Sequence, residues 1–314
     1  MTLKSVKRSF GFMARPLSAV APVAVPSLPA VVELLKPITW FPPMWAYGCG
    51  VISAGVATGG RWPEITLGVL LAGPLVCGTS QAVNDWFDRH VDAINEPQRP
   101  IPSGRVPGRW GLAIAIAWTL LSLSVAAAIG TWTLVAATVG LALAWAYSAP
   151  PLRLKRNGWW GNAAVGACYE GLPWFTGAAV MAAALPSTQV ILLAALYSIG
   201  AHGIMTLNDF KSIAGDRRMG IASLPVQLGV QGAARLACVV MALPQVVVIA
   251  SLLGWGHTAH AVVVALLLAA QLLLMRRFLT DPVARAVGYS GAGVGLYVLG
   301  MLVSAFALRS AVLA

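Results

Sequence analysis

Nine apolar stretches, each close to twenty residues and nearly free of charge, run through this 314-residue chain, at roughly 38–58, 65–83, 111–130, 132–149, 161–182, 190–207, 232–254, 257–275 and 288–308. A helix that crosses a bilayer needs about 20 such residues. Backbone groups in hydrocarbon must be paired within the segment, and the alternating polarity of barrel strands is absent, so these stretches predict helices. Charged residues make up 10% of the chain, against about 25% in soluble domains. That is too little to cover a soluble surface, and a hydrophobic content of 58% excludes disorder. The predicted fold is an all-α polytopic membrane protein.

The placement of the 21 basic residues orients it. With the N-terminus in the cytoplasm, all of them except Arg61 and Arg309 fall in the N-terminal segment or in cytoplasmic loops, as positive-inside placement requires. Nine spans then put the C-terminus outside. The net charge of +11 is thereby read as topology, not as a nucleic-acid surface. Residues 1–32, basic and proline-rich, read as a flexible cytoplasmic lead-in, not a cleaved signal. Residues 33–314 form one nine-helix domain. Cys49, Cys77, Cys168 and Cys238 all lie in apolar stretches and form no paired motif, which suits packing residues.

Seven of the ten acidic residues cluster around the ends of spans on the predicted cytoplasmic side. If the second span continues inward as a helix, Asp85, Asp88 and Asp92 stand at i, i+3 and i+7 on one face, with Asn84 beside them and Gln81 a turn deeper. Stacked carboxylates repel unless a cation holds them. A hard divalent ion, Mg²⁺, takes oxygen ligands and keeps positions open for phosphates. Some of these charges, such as Asp88 with Arg89 and Glu96 with Arg99, also suit simple loop ion pairs. The sixth span ends similarly, with Asn208-Asp209 and then Asp216, seven residues on. The two Asn-Asp pairs lie 124 residues apart at the ends of even-numbered spans, a weak internal repeat relating spans 2–5 to spans 6–9.

Two facing acidic clusters with basic side chains suit one chemistry well. Metal ions bridge the carboxylates to a diphosphate while Arg89, Lys155, Lys211 and Arg217 neutralise the rest of its charge. Diphosphate then leaves, and an allylic cation forms in an apolar interior. An ion-coupled transporter places its charges near the bilayer midplane instead, whereas here they crowd one membrane face.

The stretches NDWFDRHVDAINEPQRPIPSGR (84–105), YSAPPLRLKRNGWWGN (147–162), YEGLPW (169–174) and NDFKSIAGDRRMGIASLPVQLG (208–229) resemble the UbiA-type intramembrane prenyltransferases, and within them the chlorophyll/bacteriochlorophyll synthase branch. The resemblance covers nearly everything after about residue 33. It implies nine helices around a central cavity opening to the cytoplasmic side, in a bacterial cytoplasmic or intracytoplasmic photosynthetic membrane. It implies a metal site on Asn84, Asp85, Asp88, Asp92, Asp209 and Asp216, with Lys211 and Arg217 as diphosphate contacts. Ser212 fits the branch, while Ala214 stands where a Glu is usual. The implied reaction is attack by the propionate carboxylate of a chlorophyllide-type tetrapyrrole, bacteriochlorophyllide a in the narrower reading, on C1 of geranylgeranyl or phytyl diphosphate, releasing pyrophosphate. Membrane lipid and other pigment-biosynthesis or photosystem-assembly proteins are the further partners implied. A carboxylate nucleophile is already ionised at neutral pH and needs no strong base.

Tyr147, Trp86 and Trp174 offer aromatic faces to a passing cation, and packing explains each equally well. Trp159 and Trp160 read as interface anchors, and His90 as a solvated residue. Glu170, about mid-depth in the fifth span, and His202, seven residues before Asp209, are candidates on the tetrapyrrole side together with Trp174. Gly200, Ala201 and Gly203 suit either a flat ring or close helix packing. Other acceptors, a quinone-precursor ring or haem, remain the alternative within the family. A transporter or a pigment-binding protein without chemistry is the alternative outside it.

Overall fold

Hydrocarbon leaves a backbone no partner but itself, and the chain responds with helix almost throughout. A computed structural model describes residues 24–313, with side chains to Arg309. The basic residues Lys4, Lys7, Arg8 and Arg15, on which part of the predicted orientation rests, lie outside the described residues, as does most of the predicted lead-in. Its last residues are not loose chain. Leu28–Val32 belong to α1 (Leu28–Leu35), which buries Ala30, Leu34 and Leu35 in one cluster with Ala82 and Val83.

The bundle continues with α2 (Phe41–Ser53), α3 (Trp62–Leu70), α4 (Gly78–Asn95), α5 (Trp110–Ile129), α6 (Thr131–Ser148), α7 (Gly158–Gly166), α8 (Leu172–Ala182), α9 (Thr188–Asp209), α10 (Ile213–Met219), α11 (Leu224–Gly254), α12 (Thr258–Thr280) and α13 (Pro282–Leu313). Among the described residues, seven helices, counting Trp62–Asn95 as one, are long and apolar enough to cross a membrane. The other two expected spans, 38–58 and 161–182, fall on α2, which has only 13 residues, and on α7 and α8, which a π turn divides.

That π turn (Ala167–Gly171) and another between α3 and α4 (Leu71–Cys77) share a cause. Pro74 lies inside one and Pro173 just beyond the other, and a proline that cannot donate to the carbonyl four residues back loosens the helix there. Gly130, at φ 155, separates α5 from α6 by a single residue, a conformation open to a residue without Cβ. Asn157 caps α7, its Oδ1 accepting from Trp159 N at 2.9 Å. The main core joins residues of α2, α8, α9, α11, α12 and α13.

Candidate active site

The second predicted span does not stop at the expected residue 83. It runs on as α4 to Asn95, so Asn84, Asp88 and Asp92 recur every four residues along one side and face a cavity of about 670 Å³. The opposite wall carries Asp209 from the end of α9 and Asp216 from α10. Arg153, Lys155 and Arg156 enter from the loop after α6, Tyr147 from α6 itself and Asn162 from α7. The two acidic motifs thus meet across one space at one end of the bundle.

Side-chain cations hold the first motif. Lys155 Nζ lies 2.5 Å from Asp88 Oδ2, and Arg153 3.4 Å from Oδ1. Arg99 lies 2.9 Å from Asp92 Oδ2 and also pairs with Glu96. Burial pushes the Lys155 ammonium below its ordinary range, and the Asp88 carboxylate opposes that. Hydroxyls hold the second motif: Ser212 and Ser223 donate to Asp216 Oδ2 at 2.9 and 2.7 Å. Asp209 Oδ2 is buried without a hydrogen-bond partner. The basic loop and the loop after α10 are tied together, Gly158 N donating to Ala222 O and Ala222 N to Arg156 O, both at 2.8 Å.

Several expected site residues lie elsewhere. Asp85 is 1% exposed and absent from the cavity wall; Lys36 Nζ at 2.6 Å and Arg99 at 3.4 Å share its Oδ1. Arg89 donates to Trp86 O at 2.7 Å and stacks over the Trp86 ring, so neither side chain faces the cavity. Lys211 and Arg217 are exposed beside the second motif, outside the cavity wall. Trp174 is fully buried in the core, where it donates to Ser53 Oγ at 3.0 Å and stacks on Tyr197. His202 turns toward Trp159, with ring centroids 5.9 Å apart, and His90 is exposed. A Cβ at Gly200 would meet Tyr297 at 2.0 Å and one at Gly203 would meet Ala237 O at 2.6 Å, so both serve helix packing. Sequence reasoning missed Arg153, Arg156, Asn162 and Ser223 as site residues. The Arg-Leu-Lys-Arg run is a signal for the two arginines, which charge placement alone reads as topology, and it says nothing of Asn162 or Ser223.

Toward the bundle interior, Asn84, Tyr147 and Met205 also line an apolar cavity of about 410 Å³ with Leu143, Val165 and Cys168. A third, of about 370 Å³, continues from it between α2, α9 and α13. Among the described residues no three His, Cys, Asp or Glu side chains stand close enough to hold a metal by themselves. Mg²⁺ ordinarily keeps waters and ligand phosphates alongside one or two carboxylates. The unpartnered oxygen of Asp209 suits that use.

The UbiA prenyltransferase family model matches residues 40–290. A bacteriochlorophyll synthase 33 kDa chain of Cereibacter sphaeroides is 58% identical over 92% of this chain and 95% of its own. The chloroplastic chlorophyll synthase of Avena sativa is 39% identical over 88% and 75%. Among solved structures, a UbiA homologue from Archaeoglobus fulgidus bound to GPP and Mg²⁺ superposes with a TM-score of 0.69 at 21% identity, covering 90% of this chain and 99% of that one, a likeness of fold.

Proposed function

This chain belongs to the UbiA prenyltransferase family, and from that premise we propose that it transfers a geranylgeranyl or phytyl group from its diphosphate to the propionate carboxylate of bacteriochlorophyllide a. The observation that carries the reading is the meeting of two acidic motifs across one polar cavity, with Asn84 and Tyr147 shared by the apolar cavity beneath. The greater identity to the bacteriochlorophyll synthase than to the chlorophyll synthase supports this acceptor.

Asp88, Asp92, Asp209 and Asp216, with Asn84, are the residues that would hold Mg²⁺. When bound, the ion supplies charge neutralisation to a departing diphosphate. Lys155, as expected, binds the diphosphate oxygens from the loop side, and Arg153 and Arg156 join it in place of Arg89, Lys211 and Arg217, which lie outside the cavity wall. Asp85 is left to structure. Tyr147, at the seam between the two cavities, turns its ring to the carbon at which positive charge develops. The acceptor carboxylate attacks that carbon, the C–O bond to diphosphate breaks, and the apolar wall of Leu143, Val165 and Cys168 keeps water from competing.

We read residues 33–314 as one nine-helix domain of two related halves, with α2 and Gly158–Ala182 as the remaining two crossings. The N-terminus and the cavity's polar mouth lie on the cytoplasmic side. The gathering of the basic loops around one cavity supports that orientation.

Turnover by the nanodisc-held chain tests the reading. Bacteriochlorophyllide a and chlorophyllide a are each paired with geranylgeranyl diphosphate, with and without Mg²⁺. Metal-dependent ester formation that favours bacteriochlorophyllide a is expected. Esterification of neither pigment by folded protein overturns the acceptor.

A further inference from the structure

The third cavity holds a group the reaction above does not use. Glu170, in the π turn before α8, is 5% exposed and lines this 370 Å³ space. Its Oε2 has no hydrogen-bond partner, and no ion pair to it exists among the described residues. Most of the wall is apolar, with Phe41, Trp45 and Val298 among its residues. Trp45 donates its indole N–H to Val298 O at 3.2 Å, pinning α2 to α13 at this wall. Opposite, α13 presents Gly291 and Gly295, and a Cβ built on either meets nothing within 4 Å. The glycines therefore leave open space where side chains would fill it. Tyr169, Met205 and Asn208 are common to this cavity and the one beneath Tyr147.

A hydrocarbon chain gains nothing from a buried carboxyl, and pressing one against alkyl groups would leave that carboxyl unpaired, a desolvation cost with no return. A flat, mostly apolar molecule with a polar group on its rim satisfies both features at once. Resting on the functional reading above, we propose that this cavity seats the acceptor macrocycle against the Gly291–Gly295 floor, and that Glu170, held as the neutral carboxyl where no cation faces it, donates its O–H to a carbonyl on the macrocycle rim and so determines specificity. Bacteriochlorophyllide a carries an acetyl group where chlorophyllide a carries a vinyl group. A site built around a hydrogen bond rejects the analogue that cannot make it, because its own polar group is then stranded. The prenyl chain is left the neighbouring cavity under Tyr147.

The test uses the full chain in nanodiscs. It measures equilibrium binding of each pigment without prenyl diphosphate, kcat/KM for each pigment, and separately the affinity for geranylgeranyl diphosphate. The wild type is expected to prefer bacteriochlorophyllide a by about tenfold or more. Glu170→Leu is expected to bring that ratio near one, through KM, with diphosphate affinity unchanged. Glu170→Gln, which keeps an N–H donor, retains most of the preference. Gly295→Leu fills the floor and weakens binding of both pigments by about tenfold, leaving diphosphate affinity intact. It keeps the proposal testable if the leucine at 170 fails to fold. A wild type that esterifies pigment but whose preference survives Glu170→Leu overturns the role of Glu170. Loss of prenyl diphosphate affinity in Gly295→Leu, with pigment binding kept, gives the cavity to the donor and overturns its assignment. A wild type that binds and esterifies neither pigment overturns the functional reading itself.

Discussion

Asp85 and Asp88 stand less than one turn apart on α4 in opposite surroundings. Asp85 is sealed from the cavity, with Lys36 and Arg99 on one oxygen, whereas Asp88 opens onto the polar cavity beside Lys155. The Asp85 carboxylate is 1% exposed and accepts from Lys36 and Arg99, which are 23% and 24% exposed, and losing such charge-assisted hydrogen bonds costs about 1–3 kcal/mol. Asp85→Asn is therefore expected to lower the thermal unfolding midpoint in detergent by a few degrees. The folded fraction should still bind prenyl diphosphate with Mg²⁺. Asp88→Asn should do the reverse, with turnover falling at least about 100-fold and the midpoint moving far less, since Lys155 and Arg153 can turn to cavity water. Equal loss of turnover at equal stability in the two variants would return Asp85 to the metal set. The sequence showed three aspartates near one helical face. That Lys36, 49 residues before Asp85, claims one of them is a contact between distant segments, which spacing within a helix does not encode.

At the scale of elements, α2 and α8 lie so close that each needs the other's glycine. A Cβ on Gly177 would sit 2.1 Å from Tyr47 O, and one on Gly50 would sit 2.0 Å from Trp174 O. In lipid, where apolar surface gains little by turning inward, such close backbone packing is a main source of helix association. Gly177→Ala must push the helices apart and is expected to cost about 1–3 kcal/mol. Gly288→Ala, whose Cβ meets nothing within 4 Å, should be neutral or slightly stabilising through helix propensity. Urea or thermal unfolding of the two variants side by side measures the difference, and equal effects would refute the close-packing account. The helical character of these segments was legible because it follows from apolar length. The two π turns were not, since hydropathy is blind to a one-residue change of register. The extension of α4 to Asn95 was legible only through its repeat of polar residues, because hydropathy falls where the helix leaves the apolar stretch.

For the molecule as a whole, three loops far apart in sequence converge on one cavity, with Glu96 and Arg99 from the first, Arg153, Lys155 and Arg156 from the second, and Ser212 and Ser223 from the third. Orientation is testable there. Cysteines introduced at Ser103 and Thr258 should react with an impermeant maleimide from opposite sides of sealed vesicles, Ser103 from the cytoplasmic side. The native thiols are free, but three are buried and Cys168 half-buried, so background is low. Labelling of both from one side would overturn the proposed topology. Sequence alone determined that the chain is helical and bound to a membrane, and it marked out both acidic motifs, because apolar length and charge placement are local properties. Only the tertiary structure decided which carboxylates open on the cavity, which cations neutralise them, and that Glu170 faces an apolar space without a partner. Those outcomes depend on how helices distant in sequence rotate and approach one another, and that is fixed by packing between segments.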